Sequence, residues 1–194
     1  EFAGHYFERL AQVLRSVDLD ELAELERQLE LARVEGRTVF VAGNGGSATT
    51  ATSMVNDLGF DILKKTSTRR TFRIHALTDN VAALTAIAND VAYERVFVEQ
   101  MRIHFRRGDV LIVISASGNS LNVVAAAEWA KAQGSTIIAL LGFSGGRLAD
   151  LADVKIHFQT EKDEYGPVED AHLIVTHILA HWFQNKIGPE NSGP

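Results

Sequence analysis

The 194-residue chain predicts an α/β fold, a five-stranded parallel sheet flanked by helices in three layers, preceded by an N-terminal helical hairpin. Two observations carry that expectation. Beyond residue 37 the chain holds five short apolar runs: "TVFVA" (38–42), "FRIHAL" (72–77), "DVLIVIS" (109–115), "STIIALLG" (135–142) and "VKIHFQ" (154–159). Longer segments with helical spacing separate them, and such alternation means βαβ units with both sheet faces covered.

The hairpin comes first in the chain. Phe2, Tyr6, Leu10, Val13, Leu14 and Val17 recur at helical spacing, as do Leu22, Leu25, Leu29 and Ala32. Asp18 reads as the N-cap between the two helices, and Gly36 ends the second. The hairpin's apolar face calls for a partner, and a copy of itself is the expectation. No linker breaks residues 38–187, so residues 1–187 read as a single domain, and the polar, Gly/Pro-containing tail 188–194 as disordered.

Composition narrows the function classes. An apolar fraction of 46% and a charged fraction of 23% are those of a soluble globular protein. A formal charge of −6 gives no electrostatic footprint for nucleic acid or an anionic membrane. With no cysteine, disulfides and thiolate-held zinc are excluded, in keeping with a cytoplasmic protein. No apolar run approaches membrane-spanning length.

Two strand ends carry glycine and serine. "GNGGS" (43–47) follows the first strand and "SASGNS" (115–120) the third. In open parallel sheets ligands bind at the carboxyl ends of strands. Glycines let the backbone approach a ligand, and free amides at a helix start favour an anion. The spacing fits neither the dinucleotide fingerprint nor the Gly-Lys-Ser/Thr phosphate loop. Two such loops, with Asn44, Gly45, Gly46 and Ser47 in one and Ser115, Ser117, Asn119 and Ser120 in the other, suit the phosphate of a small phosphosugar.

"GNGGS" together with "ISASGNS" resembles the sugar isomerase (SIS) domain family. The stretches "ALTDNVAALTAIANDVAYERVF" and "GPVEDAHLIVTHIL" are similar to its phosphoheptose isomerase branch. The resemblance spans nearly the whole chain. It implies the SIS-type fold and interconversion of sedoheptulose 7-phosphate with D-glycero-D-manno-heptose 7-phosphate. It also implies a phosphate held by Ser47, Ser115, Ser117 and Ser120, and a homotetramer with sites at subunit interfaces.

Aldose–ketose isomerisation needs a base to move a proton between C1 and C2, and an acid or metal to manage charge on the oxygens. Asp57 stands on the helix after the first loop; Glu169, His172, His177 and His181 stand on the last helix. Asp57 as base and His177 as acid are the catalytic candidates, with Glu169 beside the substrate. His172 and His181 read as structural or solvated. The resemblance implies zinc ligands at Ser53 and Asp57, where zinc-type relatives carry His and Glu, and at Glu169 and His177, where they carry Gln and His. Asp57, Glu169 and His177 remain as metal donors. Serine is a poor zinc ligand, so zinc is expected to be weakly held or absent. Relatives carry Thr where this chain has Ala116, and Lys64 or Lys65 replaces an expected arginine. The altered ligand set leaves a second reading, a non-catalytic SIS scaffold such as the replication-initiator-associating branch.

Overall fold

The apolar runs form five parallel strands in the order β2-β1-β3-β4-β5. They are β1 (Thr38–Gly43), β2 (Arg73–Ala76), β3 (Val110–Ser115), β4 (Thr136–Leu141) and β5 (Val154–His157). This is a computed structural model, and it describes residues 1–66 and 68–188; the tail expected to be disordered lies, from residue 189 on, outside the described residues. The strands follow their apolar runs to within two residues at either end.

Alternation along the inner strands feeds two cores. On one face Val39, Val41, Ile112, Ile114, Ile138 and Leu140 pack with α2 (Leu19–Glu35), α3 (Gly46–Val55) and α9 (Tyr165–Ile187). On the other, Phe40, Leu111, Val113, Ile137 and Ala139 pack with α6 (Val96–His104) and α7 (Leu121–Ala132). Period-two alternation sends successive side chains to opposite faces, which is why residues one apart join different cores. Short helices α4 (Ile62–Thr66), α5 (Val81–Asp90) and α8 (Leu148–Leu151) complete the chain.

The hairpin is α1 (Phe2–Arg15) and α2. Asp18 caps α2 by accepting from the Asp20 and Glu21 amides at 2.9 and 3.2 Å. Gly36 closes it with φ +70°, a conformation that favours glycine. The expectation of a hairpin standing outside the sheet unit needs correction. Leu22, Leu25, Leu29 and Ala32 are buried in the chain's own core, because α2 lies on the sheet beside β5. α1 is tied to the start of α9: the Tyr6 hydroxyl donates to Asp170 at 2.6 Å, and Arg9 forms a two-point pair with Glu164 at 2.5 and 2.7 Å. What stays exposed is the other side of α1, with Phe2 and Phe7.

Candidate active site

Strand order reverses between β1 and β3, so their carboxyl ends frame the crevice where such sheets bind ligands. The two glycine/serine loops are the two lips of that crevice. In the first, Gly45 has φ +55°, and α3 starts at Gly46. A Cβ on Gly43 would meet the Ser47 side chain at 2.8 Å, and one on Gly46 would collide with the Glu169 carboxylate. Gly46 and Glu169 are therefore in direct contact, which brings α9 onto the first loop. Burial, then the neighbouring Asp170, raises the Glu169 carboxyl above the usual carboxylate range.

Asn44 is engaged by neighbouring side chains. It exchanges two amide hydrogen bonds with Asn122 of α7, at 2.8 and 2.9 Å, and its Oδ1 also accepts from the Tyr93 hydroxyl at 3.0 Å. Its amide clasps the two lips together. Ser47 and Ser115, at the carboxyl ends of β1 and β3, are each 5% exposed. In the second loop Ser115 Oγ accepts from the Gly118 amide at 3.1 Å and Ser117 Oγ from the Asn119 amide at 3.3 Å. Asn119 holds its own loop: its Nδ2 donates to the Ser117 carbonyl, and its Oδ1 accepts from the Arg147 amide at 3.0 Å. Ser120 is the N-cap residue of α7, but its hydroxyl makes no capping bond.

Asp57 sits where α3 changes character. Residues Asn56–Asp61 form a π-helical turn, which periodicity did not anticipate. Such a turn widens the helix and disturbs its ladder; here the Thr71 hydroxyl donates to the carbonyls of Leu58 and Gly59, at 3.1 and 2.8 Å. Asp57 Oδ1 accepts from Asn56, and Oδ2 lies 3.9 Å from His177 Nε2. That gap is too long for a hydrogen bond. Both side chains thus keep atoms free to meet a substrate. The Asp57 side chain is 18% exposed and that of His177 56%.

Glu169 stands apart from this pair. Among the described residues no three His, Cys, Asp or Glu side chains form a metal-holding group. The three donors retained in the sequence do not fit a closed zinc site within one chain, since Glu169 rests on Gly46. Lys65, offered as a stand-in for an arginine, is paired with Asp61 at 2.7 Å. His172 is buried and structural, its Nε2 3.1 Å from the Leu141 carbonyl, and His181 is exposed.

With that geometry in place, residues 5–142 match the model of the SIS domain. The chain belongs to the SIS domain family. It is 35% identical to "Probable phosphoheptose isomerase" of Thermoplasma volcanium over 90% of this chain and 86% of that one. It is 37% identical to "Phosphoheptose isomerase" of Rhodospirillum rubrum over 76% of this chain and 75% of that one. The solved phosphoheptose isomerase of Neisseria gonorrhoeae superposes with a TM-score of 0.82 at 27% identity, covering 95% of this chain and 97% of that one. The chain is an aldose–ketose phosphosugar isomerase. Among the described residues no helix is long and apolar enough to cross a membrane.

Sequence reading missed Asn122, Tyr93 and Thr71, which hold the site from outside the two glycine/serine loops. It also missed Phe143, with φ +46°, whose amide donates to Thr160 Oγ1 at 3.1 Å and whose ring stands edge-on to Tyr165. Phe143 walls a cleft of about 830 Å³ that opens beside Ser117 and Asn119.

Proposed function

We propose that the chain interconverts sedoheptulose 7-phosphate and D-glycero-D-manno-heptose 7-phosphate. The observation that carries this reading is the Asp57–His177 pair, 3.9 Å apart and unbonded, on the two helices that meet at the first loop. The phosphate is assigned to Ser47, Ser115, Ser117 and Ser120 with the amides around them. The Asp57 carboxylate takes the proton from one of C1 and C2 and returns it to the other. His177 carries the proton between the two oxygens, so the intermediate is a neutral enediol. Glu169, with Gly45 and Gly46, borders the sugar chain. Similarity to the phosphoheptose isomerases supports the substrate.

Replacing Asp57 by Asn keeps size and removes basicity. Turnover of sedoheptulose 7-phosphate, followed as aldose formed, is expected to fall ~10²–10⁴-fold, the usual scale for a general base, with substrate binding little changed. Full activity in Asp57→Asn would remove Asp57 from the mechanism. Zinc is assigned a weak hold, because Ser53 stands where zinc-type relatives carry His. Elemental analysis is expected to find less than one zinc per chain, and Ser53→His to raise it; one tightly held zinc per chain in the unaltered protein contradicts this.

A homotetramer with sites at its interfaces, in the cytoplasm, completes the reading. The exposed Phe2 and Phe7 of α1 support it, as do Val81 at the start of α5 and Val91 just past its end, both exposed. Absence of turnover on any seven-carbon phosphate, with and without added zinc, would instead assign the isomerase another phosphosugar.

A further inference from the structure

The edge strand β2 has two unlike faces. Ile74 and Ala76 join the core shared with α3 and α9, while Arg73 and His75 are exposed on the other side. α6 and α7 cover that second side over the inner strands, but α5, which follows β2, reaches that core only with the half-buried Leu84, Ile87 and Ala88. The consequence is a cleft of about 500 Å³ along β2. That volume suits one small ligand.

The lining is chemically divided. Phe40 and Phe105 stack at 6.2 Å to make an apolar floor, and the His75 ring tilts against Phe40 at 6.2 Å. At one end stand Arg73 and Arg106. Thr38, in register with Arg73, and Arg106 both donate their backbone amides to Asp109, at 2.8 and 2.7 Å, which fixes the two arginines at the same end of the sheet. Asp109 has both oxygens committed to those amides.

Several arginines on this acidic chain stand beside carboxylates, as Arg9 does with Glu164 and Arg95 with Glu99. Among the described residues the Arg73 and Arg106 side chains have no such partner. Of the residues lining the cleft, Asp79 is the one carboxylate; it lies beyond Leu77 and accepts from the Thr52 hydroxyl at 3.0 Å. Two unpaired guanidiniums at one end of a ring-floored cleft suit phosphate oxygens followed by a flat ring. Two guanidiniums call for two phosphate groups and the rings beside them for a base, which is the make-up of a nucleoside diphosphate.

We propose that the cleft along β2 is a second ligand site, separate from the isomerase crevice, that takes a nucleoside diphosphate. Its diphosphate lies between Arg73 and Arg106, and its base lies over His75 and Phe105. The probe is ADP, titrated calorimetrically into the full chain, with inorganic pyrophosphate as the ring-free comparison. ADP is expected to bind the unaltered protein and a Ser115→Ala/Ser117→Ala variant equally. In Arg73→Ala/Arg106→Ala its affinity is expected to fall roughly tenfold or more, as charge-assisted contacts are lost, while sugar-phosphate turnover is unchanged. Arg107→Ala, an exposed arginine outside the cleft, should behave as the parent. Failure of ADP to bind the parent overturns the site. So does ADP binding that the serine variant loses and the arginine variant keeps, which places ADP in the isomerase crevice. Pyrophosphate binding as tightly as ADP overturns the nucleoside assignment.

Discussion

The two glycine/serine loops, one richer in glycine and the other in serine, are held in different ways. The first is shaped by side chains that press on it from elsewhere: Glu169 on Gly46, and Asn122 on Asn44. The second is locked largely by backbone. The Leu148 amide donates to the Gly118 carbonyl at 3.0 Å, the Gly142 amide donates to that of Ala116 at 3.1 Å, and Gly118 lies directly against Gly145. A loop braced by side chains can yield when one of them swings away. A loop braced by backbone cannot yield without moving the chain behind it.

Gly118→Ala tests the second kind of support, and its effect should be the largest. Gly118 has φ +65°, and a Cβ there would overlap the Gly145 carbonyl. Left-handed strain and overpacking against backbone add, so a loss of roughly 3 kcal/mol is expected, read as a lower urea midpoint. A midpoint equal to the parent's would mean that the second loop is as compliant as the first.

This difference between the loops was only half legible in the sequence. Both loops announce themselves, because glycine and serine clusters at strand ends are a local signal. The strands were legible for the same reason, to within two residues at their ends. The braces were not legible. Asn44 and Asn122 are 78 residues apart and nothing local pairs them. The spacing of Glu169 and His177 along α9 was readable, but the crossing of α3 and α9 decides that His177, and not Glu169, meets Asp57. The π-helical turn under Asp57 depends on Thr71, a residue on the far side of a loop.

His172 offers a pH handle on what supports the second loop. Its Nε2–H donates to the carbonyl of Leu141, next to the Gly142 that holds Ala116. Nδ1 is buried without a partner. Burial pulls the imidazole down from 6.5 to about 4, with His157 nearby adding to the shift and the Leu141 bond opposing it. The unfolded chain therefore binds a proton first as pH falls. Stability is whole above pH ~6.5, declines toward pH ~4, and levels off below; the full span is roughly 3 kcal/mol. Urea midpoints measured across that window should show this decline, and His172→Gln should remove His172's part of it. An unchanged slope in His172→Gln would place the acid sensitivity elsewhere.

Gly46→Ala is the counterpart of Gly118→Ala and should cost the least stability. Gly46 is the first residue of α3, and its φ is not in the left-handed region, so alanine fits the backbone there. The obstacle to a Cβ is the Glu169 carboxylate, the far end of a flexible side chain, which can swing out. Alanine is also the better helix former by up to ~1 kcal/mol. The melting temperature should therefore hold or rise slightly. Function should not hold, since a displaced Glu169 no longer borders the sugar: turnover is expected to drop roughly tenfold, equivalent to ~1.4 kcal/mol in the barrier. The route of the loss is checked by a double-mutant cycle with Glu169→Ala. If the damage runs through Glu169, the double variant loses no more than Glu169→Ala alone. Additive losses would mean that Gly46 meets the substrate itself, and a melting temperature falling as far as in Gly118→Ala would erase the distinction between the two loops.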